Sequence, residues 1–297
     1  MRARLQLGGA FHLLETNSIG MRSSREYPEK TSSGRKRILL LGDSYTAGDG
    51  VDNSERFSDI MESRFPWLDV MNFGLNGSGT DQQTLIFEQM ASRLEADAYI
   101  FCLCPENIAR CQYTCFPSMS WSEHQLVYRP KPYFELSEND LELRNQPVPH
   151  EKRSVEALGD WKCDFPYSNE FPEDPYAIYR FPDSSHWRLQ KKILERFIGQ
   201  TGEKPVYLVP MPMDRHYFEK STMEFILERY RELEAPEKNI RVVDLMPAML
   251  KDSAQERKAY RFPDDPHYTA KAHQVVANGL ANEIGKYNSD FFLQGSQ

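Results

Sequence analysis

A short apolar run that ends in a glycine and a serine is the feature that most constrains the fold. Ile38-Leu-Leu-Leu41 is continuously apolar and leads directly into Gly42-Asp43-Ser44. Such a run, bounded by turn residues, is typical of a strand that is buried on both faces of a parallel sheet. A residue directly after such a strand lies at the carboxyl edge of the sheet, where open α/β folds bind ligands. Ser44 is therefore a candidate functional residue.

Strand and helix patterns alternate along most of the chain. Asp69–Gly74 and Ala98–Leu103 are candidate strands, and residues 81–94 between them carry apolar side chains at helical spacing. In the second half, the same patterns predict helices over 187–198, 218–233 and 270–287, and strands over 205–210 and 240–245. This alternation predicts an α/β fold, a three-layer α/β/α sandwich with a mainly parallel sheet.

Two segments depart from this alternation. Residues 1–34 are polar and lack periodicity, which indicates an N-terminal arm before a domain over 35–288 and a tail over 289–297. Residues 113–183 are rich in proline and aromatic residues, and they predict an inserted irregular and β subdomain with a hairpin formed by 133–136 and 141–144. The aromatic residues of the insertion either wall a pocket or form a small core, and we favour the core: Trp121, Tyr128, Tyr133, Trp161, Tyr167 and Tyr176.

Charge and hydropathy exclude several classes of protein. The chain has 36 Lys and Arg against 44 Asp and Glu, a formal net charge of −8, so no nucleic-acid partner is expected. No window approaches the roughly 18 consecutive apolar residues of a transmembrane helix. The first residues lack a clear cleavage site for a signal peptide. We therefore expect a cytoplasmic protein without a transmembrane segment.

The cysteines and histidines do not predict a metal site. Four of the five cysteines, Cys102, Cys104, Cys111 and Cys115, lie close together but without the Cys-x2-Cys spacing of a zinc knuckle. An odd number in a chain of this length does not suggest a disulfide framework, so we expect buried, reduced thiols. The histidines are scattered singly, and neither a dinucleotide fingerprint nor a P-loop is present. We expect no metal and no cofactor.

A second cluster of chemically capable residues lies near the carboxyl end, in Asp264-Asp-Pro-His267. An aspartate three residues before a histidine can fold back onto Nδ1 and leave Nε2 free to take a proton from a serine. Asp264 has this spacing, whereas Asp265, two residues before the histidine, is the weaker candidate. Together with Ser44 they form a plausible Ser-His-Asp set. The alternative is that Gly42–Ser44 is a turn that caps a helix, and that His267 caps or packs.

These blocks, in this order, resemble those of the SGNH (GDSL-type) hydrolase family. The resemblance covers about residues 35–112 and 184–288, and Asn17-x-x-Gly20-x-Arg22 resembles a lead-in of many bacterial members. The matching blocks are Gly42-Asp43-Ser44, Asn72–Gly79 with Gly77 as its aligned glycine, Pro105-Glu-Asn-Ile108 with Asn107 as its asparagine, and Asp264–His267. The third block departs from the family pattern, because Pro105 and Ile108 replace a glycine and an aspartate.

The resemblance implies a flavodoxin-like SGNH hydrolase fold and a serine esterase. Ser44 would be the nucleophile, His267 the general base and Asp264 the carboxylate that orients it. The backbone N–H groups of Ser44 and Gly77 and the side-chain amide of Asn107 would form the oxyanion hole. The expected partner is a small-molecule ester with an acetyl-like acyl group, an O-acetylated carbohydrate being one form. The alternatives are an O-acyltransferase that uses the same serine and histidine, and a non-catalytic binding protein with an altered third block.

Overall fold

The computed structural model describes residues 2–7, 10–32, 34–120, 125–138, 140–162, 174, 176–219 and 223–292. Its strands are, in chain order, β1 Arg2–Leu7, β2 Ala10–Glu15, β3 Lys36–Gly42, β4 Leu68–Gly74, β5 Ala98–Leu103, β6 Cys115–Ser120, β7 Gln125–Pro130, β8 Tyr133–Ser137, β9 Asp140–Arg144, β10 Val206–Pro210, β11 Ile240–Val242, β12 Arg261–Phe262 and β13 Asp265–Tyr268. Its α-helices are α1 Ser44–Ala47, α2 Phe57–Arg64, α3 Thr80–Gln89, α4 Asn107–Arg110, α5 Ser185–Gly199, α6 Asp214–Glu219, α7 Met223–Arg231, α8 Met246–Met249, α9 Ala254–Arg257 and α10 Ala270–Gly285. None of these helices combines the length and the apolar character that crossing a membrane requires.

A five-stranded sheet with the order β11-β10-β5-β3-β4 forms the centre of the molecule. Every neighbouring pair is parallel. The apolar run of β3, Ile38 to Leu41, is completely buried, as expected for a strand covered on both faces. Helices α2, α8 and α10 pack together in one layer, and α3 packs on α5 in the other. The predicted α/β/α sandwich with a parallel sheet is confirmed.

Two of the predicted elements differ in extent from the structure. The helix predicted over 218–233 is found in part as α7, Met223–Arg231, which ends two residues earlier than predicted, while α6 reaches Glu219 and residues 220–222 lie outside the described residues. Tyr217 of α6 and Met223 of α7 are both buried in the main core, which accounts for the apolar spacing of this stretch. The strand predicted over 240–245 ends at Val242, although the N–H of Val243 still donates to Leu208 O at 2.9 Å.

The N-terminal arm is more regular than its sequence suggests. Strands β1 and β2 form an antiparallel hairpin, which the lack of periodicity did not predict. The residues that follow are fixed to the domain by charged side chains. Arg25 Nη1 lies 3.0 Å from a carboxylate oxygen of Glu62, and Arg35 Nε donates to Asp69 Oδ1 at 2.9 Å.

The segment between α4 and α5 contains the predicted hairpin and a second one. Strands β8 and β9 pair antiparallel, as expected from the alternation in 133–136 and 141–144, and β6 pairs with β7. Phe134 of β8 is buried against Leu85 of α3 and Leu189 of α5. Lys131, between the hairpins, is only 4% exposed and forms an ion pair with the fully buried Asp81 of α3. The inserted segment is therefore packed against the domain.

Three of the aromatic residues named for the inserted segment serve packing. Tyr128 and the partly buried Trp161 pack with Cys115 in a small cluster of their own, as we favoured. Tyr176 is part of the main core instead. Two further residues of the predicted set lie outside the described residues: Trp121 and Tyr167.

The cysteines differ from the expectation at one position. Cys102, Cys104 and Cys111 are free and buried, as predicted. Cys115 is disulfide-bonded, so the prediction of reduced thiols throughout is wrong. The cytoplasmic location stays a prediction, and this disulfide counts against it, because disulfides persist mainly in oxidising compartments.

The Lys131–Asp81 pair gives a test of how the inserted segment is held. We expect Lys131→Met to lower the free energy of unfolding by about 3–5 kcal/mol, because it leaves a buried carboxylate without its partner. Urea unfolding followed by circular dichroism measures this. Lys286→Met is the control, since its solvent-exposed pair with Glu283 should contribute little to the free energy of unfolding. Equal losses in the two variants would show that the buried pair does not anchor the segment.

Stability should also depend on the protonation of His273. Burial, and then the charge of Arg56, lowers the pKa of His273 to about 3. The unfolded chain takes up this proton near pH 6.5, so the stability that neutral His273 allows is complete above that pH and lost as the pH falls towards 3. From pH 7 to pH 5, the wild type should lose about 2 kcal/mol more unfolding free energy than His273→Gln. Identical losses in urea unfolding would contradict this assignment.

Candidate active site

The predicted blocks meet at one edge of the sheet. Ser44 follows β3, Gly77 lies in the loop after β4, and Asn107 follows β5. Because β5, β3 and β4 are parallel neighbours, their carboxyl ends lie side by side. Ser44 is the first residue of α1, and Asp43 caps this helix by accepting the N–H of Tyr45 at 3.1 Å.

Ser44 and His267 are in direct contact, and a carboxylate lies on the far side of the imidazole. His267 Nε2 lies 2.8 Å from Ser44 Oγ. His267 Nδ1 lies 2.5 Å from Asp265 Oδ1. This arrangement can hold the imidazole with Nδ1 protonated and with Nε2 as the acceptor of the serine proton. It can therefore activate Ser44 as a nucleophile.

The carboxylate that contacts His267 is Asp265, not Asp264 as expected. The expectation assumed a chain that folds back over three residues, whereas residues 265–268 form the extended strand β13. Side chains two apart on a strand share a face, so Asp265 lies beside His267. Asp265 Oδ1 also accepts the backbone N–H of His267 at 2.8 Å. Asp264 lies in the turn before β13 and is exposed.

Tyr45 connects the serine and histidine segments, a role that the sequence did not reveal. Its hydroxyl donates to Pro266 O at 3.0 Å. Its ring lies 5.0 Å from the His267 ring and 4.8 Å from that of Tyr268, centroid to centroid. Tyr45 is buried, so these contacts hold the histidine strand against α1.

Position 77 requires a glycine, both because of its backbone conformation and because of the side chain beside it. Its φ of +67° lies in the left-handed region, which favours glycine. A Cβ at this position would lie 2.3 Å from Cε2 of Phe116 in β6. Among the described residues, neither the Gly77 nor the Ser44 backbone N–H finds an acceptor. Both groups are therefore available to an oxyanion.

Asn107 is fully buried at the end of β5. Within the described part of the chain its Nδ2 has no hydrogen-bond partner. Its Oδ1 lies 3.5 Å from Arg110 Nη1. Asn107 itself does not line the cavity that Ser44, Gly77 and His267 share, whereas its neighbours Glu106 and Arg110 do.

This cavity has a volume of about 330 Å³. The inserted segment contributes one wall, which comprises Tyr113, Cys115, Phe116, Pro117 and Lys131. Both cationic side chains of the lining are paired with carboxylates, Lys131 with Asp81 and Arg110 with Asp43 and Glu106. The positive charges of the cavity lining are therefore neutralised by neighbouring carboxylates.

Two further contacts around the nucleophile were not predicted. Arg22 donates to Ala47 O at 2.8 Å and to Gly48 O at 2.7 Å, and burial lowers the pKa of its guanidinium to about 10. Asn76 donates to Asp49, whose pKa is raised to about 6 by burial. The lead-in motif marked Arg22 without indicating its partners, and no spacing signal marked Asp49 or Asn76.

One group of side chains in the described residues has the spacing of metal ligands. Ligand atoms of His12, Asp52 and Glu55 lie within 4.8 Å of one another. Asp52 Oδ1 already accepts the N–H of Leu13 at 2.7 Å, and Glu55 accepts the N–H of Asp52 at 2.9 Å. None of the three lines the cavity. Through the hydrogen bond from Leu13 to Asp52, this group attaches the N-terminal arm to the domain.

Solved structures of similar fold include lipolytic proteins and esterases. A lipolytic protein of the G-D-S-L family from Veillonella parvula has a TM-score of 0.47 and 12% identity, covering 83% of this chain and 97% of its own. A lipase/acylhydrolase from Enterococcus faecalis has a TM-score of 0.48 and 17% identity, covering 85% and 96%. An acetyl-xylooligosaccharide esterase from Geobacillus Stearmophilus has a TM-score of 0.46 and 13% identity, covering 84% and 94%. No family model and no curated protein matches the sequence.

The two neighbouring aspartates make a matched pair for mutagenesis. Asp265→Asn should slow the labelling of Ser44 by a fluorophosphonate at least about 100-fold, because an amide donor favours the wrong imidazole tautomer. Asp264→Asn should stay within about twofold of the wild type, since this side chain is exposed. Intact-mass spectrometry over time measures both rates. A larger effect in Asp264→Asn would return the orienting role to that residue.

Proposed function

We propose that this chain is a serine esterase that acts on a small, uncharged ester with a short acyl group. The observation that carries the proposal is the continuous contact from Ser44 Oγ through His267 to Asp265 at the mouth of a cavity. Such a chain of contacts activates a serine for acyl transfer in many unrelated folds. The sequence resemblance to SGNH hydrolases supports the same chemistry.

In the proposed mechanism, Ser44 Oγ attacks the ester carbonyl carbon while His267 Nε2 takes the hydroxyl proton. The negative charge then develops on the carbonyl oxygen. The N–H groups of Ser44 and Gly77 and the amide of Asn107 stabilise this oxyanion, each donor being worth about 2.7–4 kcal/mol. The imidazolium returns its proton to the leaving alkoxide, and Asp265 stabilises it in the meantime. Water releases the acyl group from Ser44 by the same steps in reverse.

The size and charge of the cavity support the choice of substrate class. A volume of about 330 Å³ is at the lower end for small-molecule sites, which favours a short acyl group on a compact alcohol. Arg110 and Lys131 are each paired with a carboxylate, so the lining offers no surplus charge to an anionic substrate. Asn76 and Gln82 add amide groups that suit a hydroxylated alcohol, of which an O-acetylated carbohydrate is one form.

The test is the hydrolysis of p-nitrophenyl esters from acetate to octanoate. We expect Ser44→Ala to lower kcat for the acetate at least about 1,000-fold, because the covalent intermediate cannot form. The exposed Ser92→Ala is the control and should keep the wild-type rate. The value of kcat/KM should fall as the acyl chain lengthens, because the cavity is small.

Three outcomes would change the proposal. Full activity in Ser44→Ala would refute Ser44 as the nucleophile. A wild-type protein that neither hydrolyses any ester of the series nor reacts with a fluorophosphonate would be a binding protein instead. Labelling of Ser44 without hydrolysis, together with acyl transfer to an added sugar alcohol, would indicate an O-acyltransferase.

A further inference from the structure

The orientation of the Asn107 amide decides whether this residue can act in an oxyanion hole. Only its Nδ2 end can donate to an oxyanion, whereas Oδ1 would repel one. The two ends have nearly the same shape, so the surroundings must select between them. Asn107 is fully buried, and its Nδ2 has no partner among the described residues.

Arg110, one turn further along α4, makes this selection possible. Its Nη1 lies 3.5 Å from Asn107 Oδ1. A guanidinium has donors and no acceptor, so it attracts the oxygen end of the amide and disfavours the nitrogen end. In the arrangement present, Oδ1 faces Arg110 and Nδ2 remains the free donor.

The same nitrogen of Arg110 also contacts the other two blocks. Nη1 lies 2.8 Å from Asp43 Oδ2, directly before the nucleophile, and 3.4 Å from Ser78 O, directly after Gly77. One guanidinium thus lies against a residue of each segment that supplies an oxyanion donor. The contact with Asp43 is the shortest of these three Nη1 contacts.

The charge balance explains why Arg110 stays in place. Asp43 is fully buried, and burial raises the pKa of its carboxyl while the charge of Arg110 opposes this effect. Arg110 Nη2 pairs with Glu106, which precedes Asn107 in the sequence. Arg110 therefore has a carboxylate on each side and little freedom to leave Asn107.

We propose that Arg110 is a positioning residue that holds the Asn107 amide with Oδ1 towards the guanidinium, leaves Nδ2 as the free donor, and joins the serine, glycine and asparagine segments. The inference rests on the proposed esterase function and deepens it.

A double-mutant cycle with Arg110→Lys and Asn107→Ala tests this role. Lysine keeps the charge near Asp43 but has one compact ammonium in place of the planar fork. With Asn107 present, Arg110→Lys should lower kcat for p-nitrophenyl acetate about tenfold and change KM less than about threefold. In the Asn107→Ala background it should lower kcat less than twofold, since the amide it orients is gone. The rate of fluorophosphonate labelling of Ser44 should follow the same pattern.

The outcomes separate this inference from the proposed function. If the wild type hydrolyses esters and Arg110→Lys lowers kcat equally in both backgrounds, Arg110 does not act through Asn107 and the inference is overturned. If kcat is unchanged in both, it is overturned as well. If the wild type neither hydrolyses nor reacts with the probe, the proposed function fails and the inference fails with it.

If Arg110→Lys fails to fold, a double variant compared in the same two backgrounds tests the role of Arg110. Asp43→Asn with Arg110→Gln removes the fully buried Asp43 carboxylate together with its partner, and the Glu106 carboxylate that also pairs with Arg110 is partly exposed. This double variant should again lower kcat more strongly with Asn107 present than in the Asn107→Ala background. Equal losses in the two backgrounds would overturn the inference.

Discussion

The geometry of the candidate site depends on the parallel register of β5, β3 and β4. Gly42 at the end of β3 is paired with Gly74 at the end of β4, and Leu41 is paired with Phe101 in β5. The three strands therefore end within about two residues of one another, and the loops that follow them start at the same edge. A slip of one residue would turn every buried side chain to the opposite face. The apolar core of the sheet thus fixes where Ser44, Gly77 and Asn107 can lie.

The segments that follow these strands pack closely against one another. A glycine at the end of β4 and a buried ion pair allow this close packing. A Cβ on Gly74 would lie 2.4 Å from the backbone nitrogen of Ala47, so glycine at the end of β4 lets α1 pack directly on the sheet. Arg110 and Asp43 form an ion pair next to the nucleophile, at 2.8 Å. Buried ion pairs contribute little net stability, whereas their geometry is strict. At this edge of the sheet, the pair restricts the orientation of neighbouring groups more than it stabilises the fold.

The elements that the sequence predicted well are those whose patterns are local. β3 and β5 contain short apolar runs that end near glycine or proline, and buried strands are recognisable from such runs. The segment 265–268 was harder, because its pattern did not show whether the chain turns back or extends before His267. The extended backbone places Asp265 beside the imidazole. A spacing rule for side chains is valid only for the backbone conformation that it assumes.

Contacts between distant segments were not predictable in the same way. Arg22 binds carbonyls 25 and 26 residues away, and Arg110 binds a carboxylate 67 residues away. An arginine gives no periodic signal, and its partners follow only once the sheet has placed the loops. The disulfide at Cys115 is a similar case, since cysteine spacing alone does not specify pairing.

The family resemblance covers the segments that carry the candidate catalytic residues, but not the inserted segment that forms one wall of the cavity. Ser44 follows β3, and His267, which contacts it, lies in β13; the resemblance covers both segments. One wall of the cavity comes from the segment between α4 and α5, which it does not cover. Phe116 of that segment fills the space beside Gly77, so the wall directly contacts the glycine block. The sheet therefore positions the candidate catalytic residues, whereas the insertion contributes to the shape of the cavity.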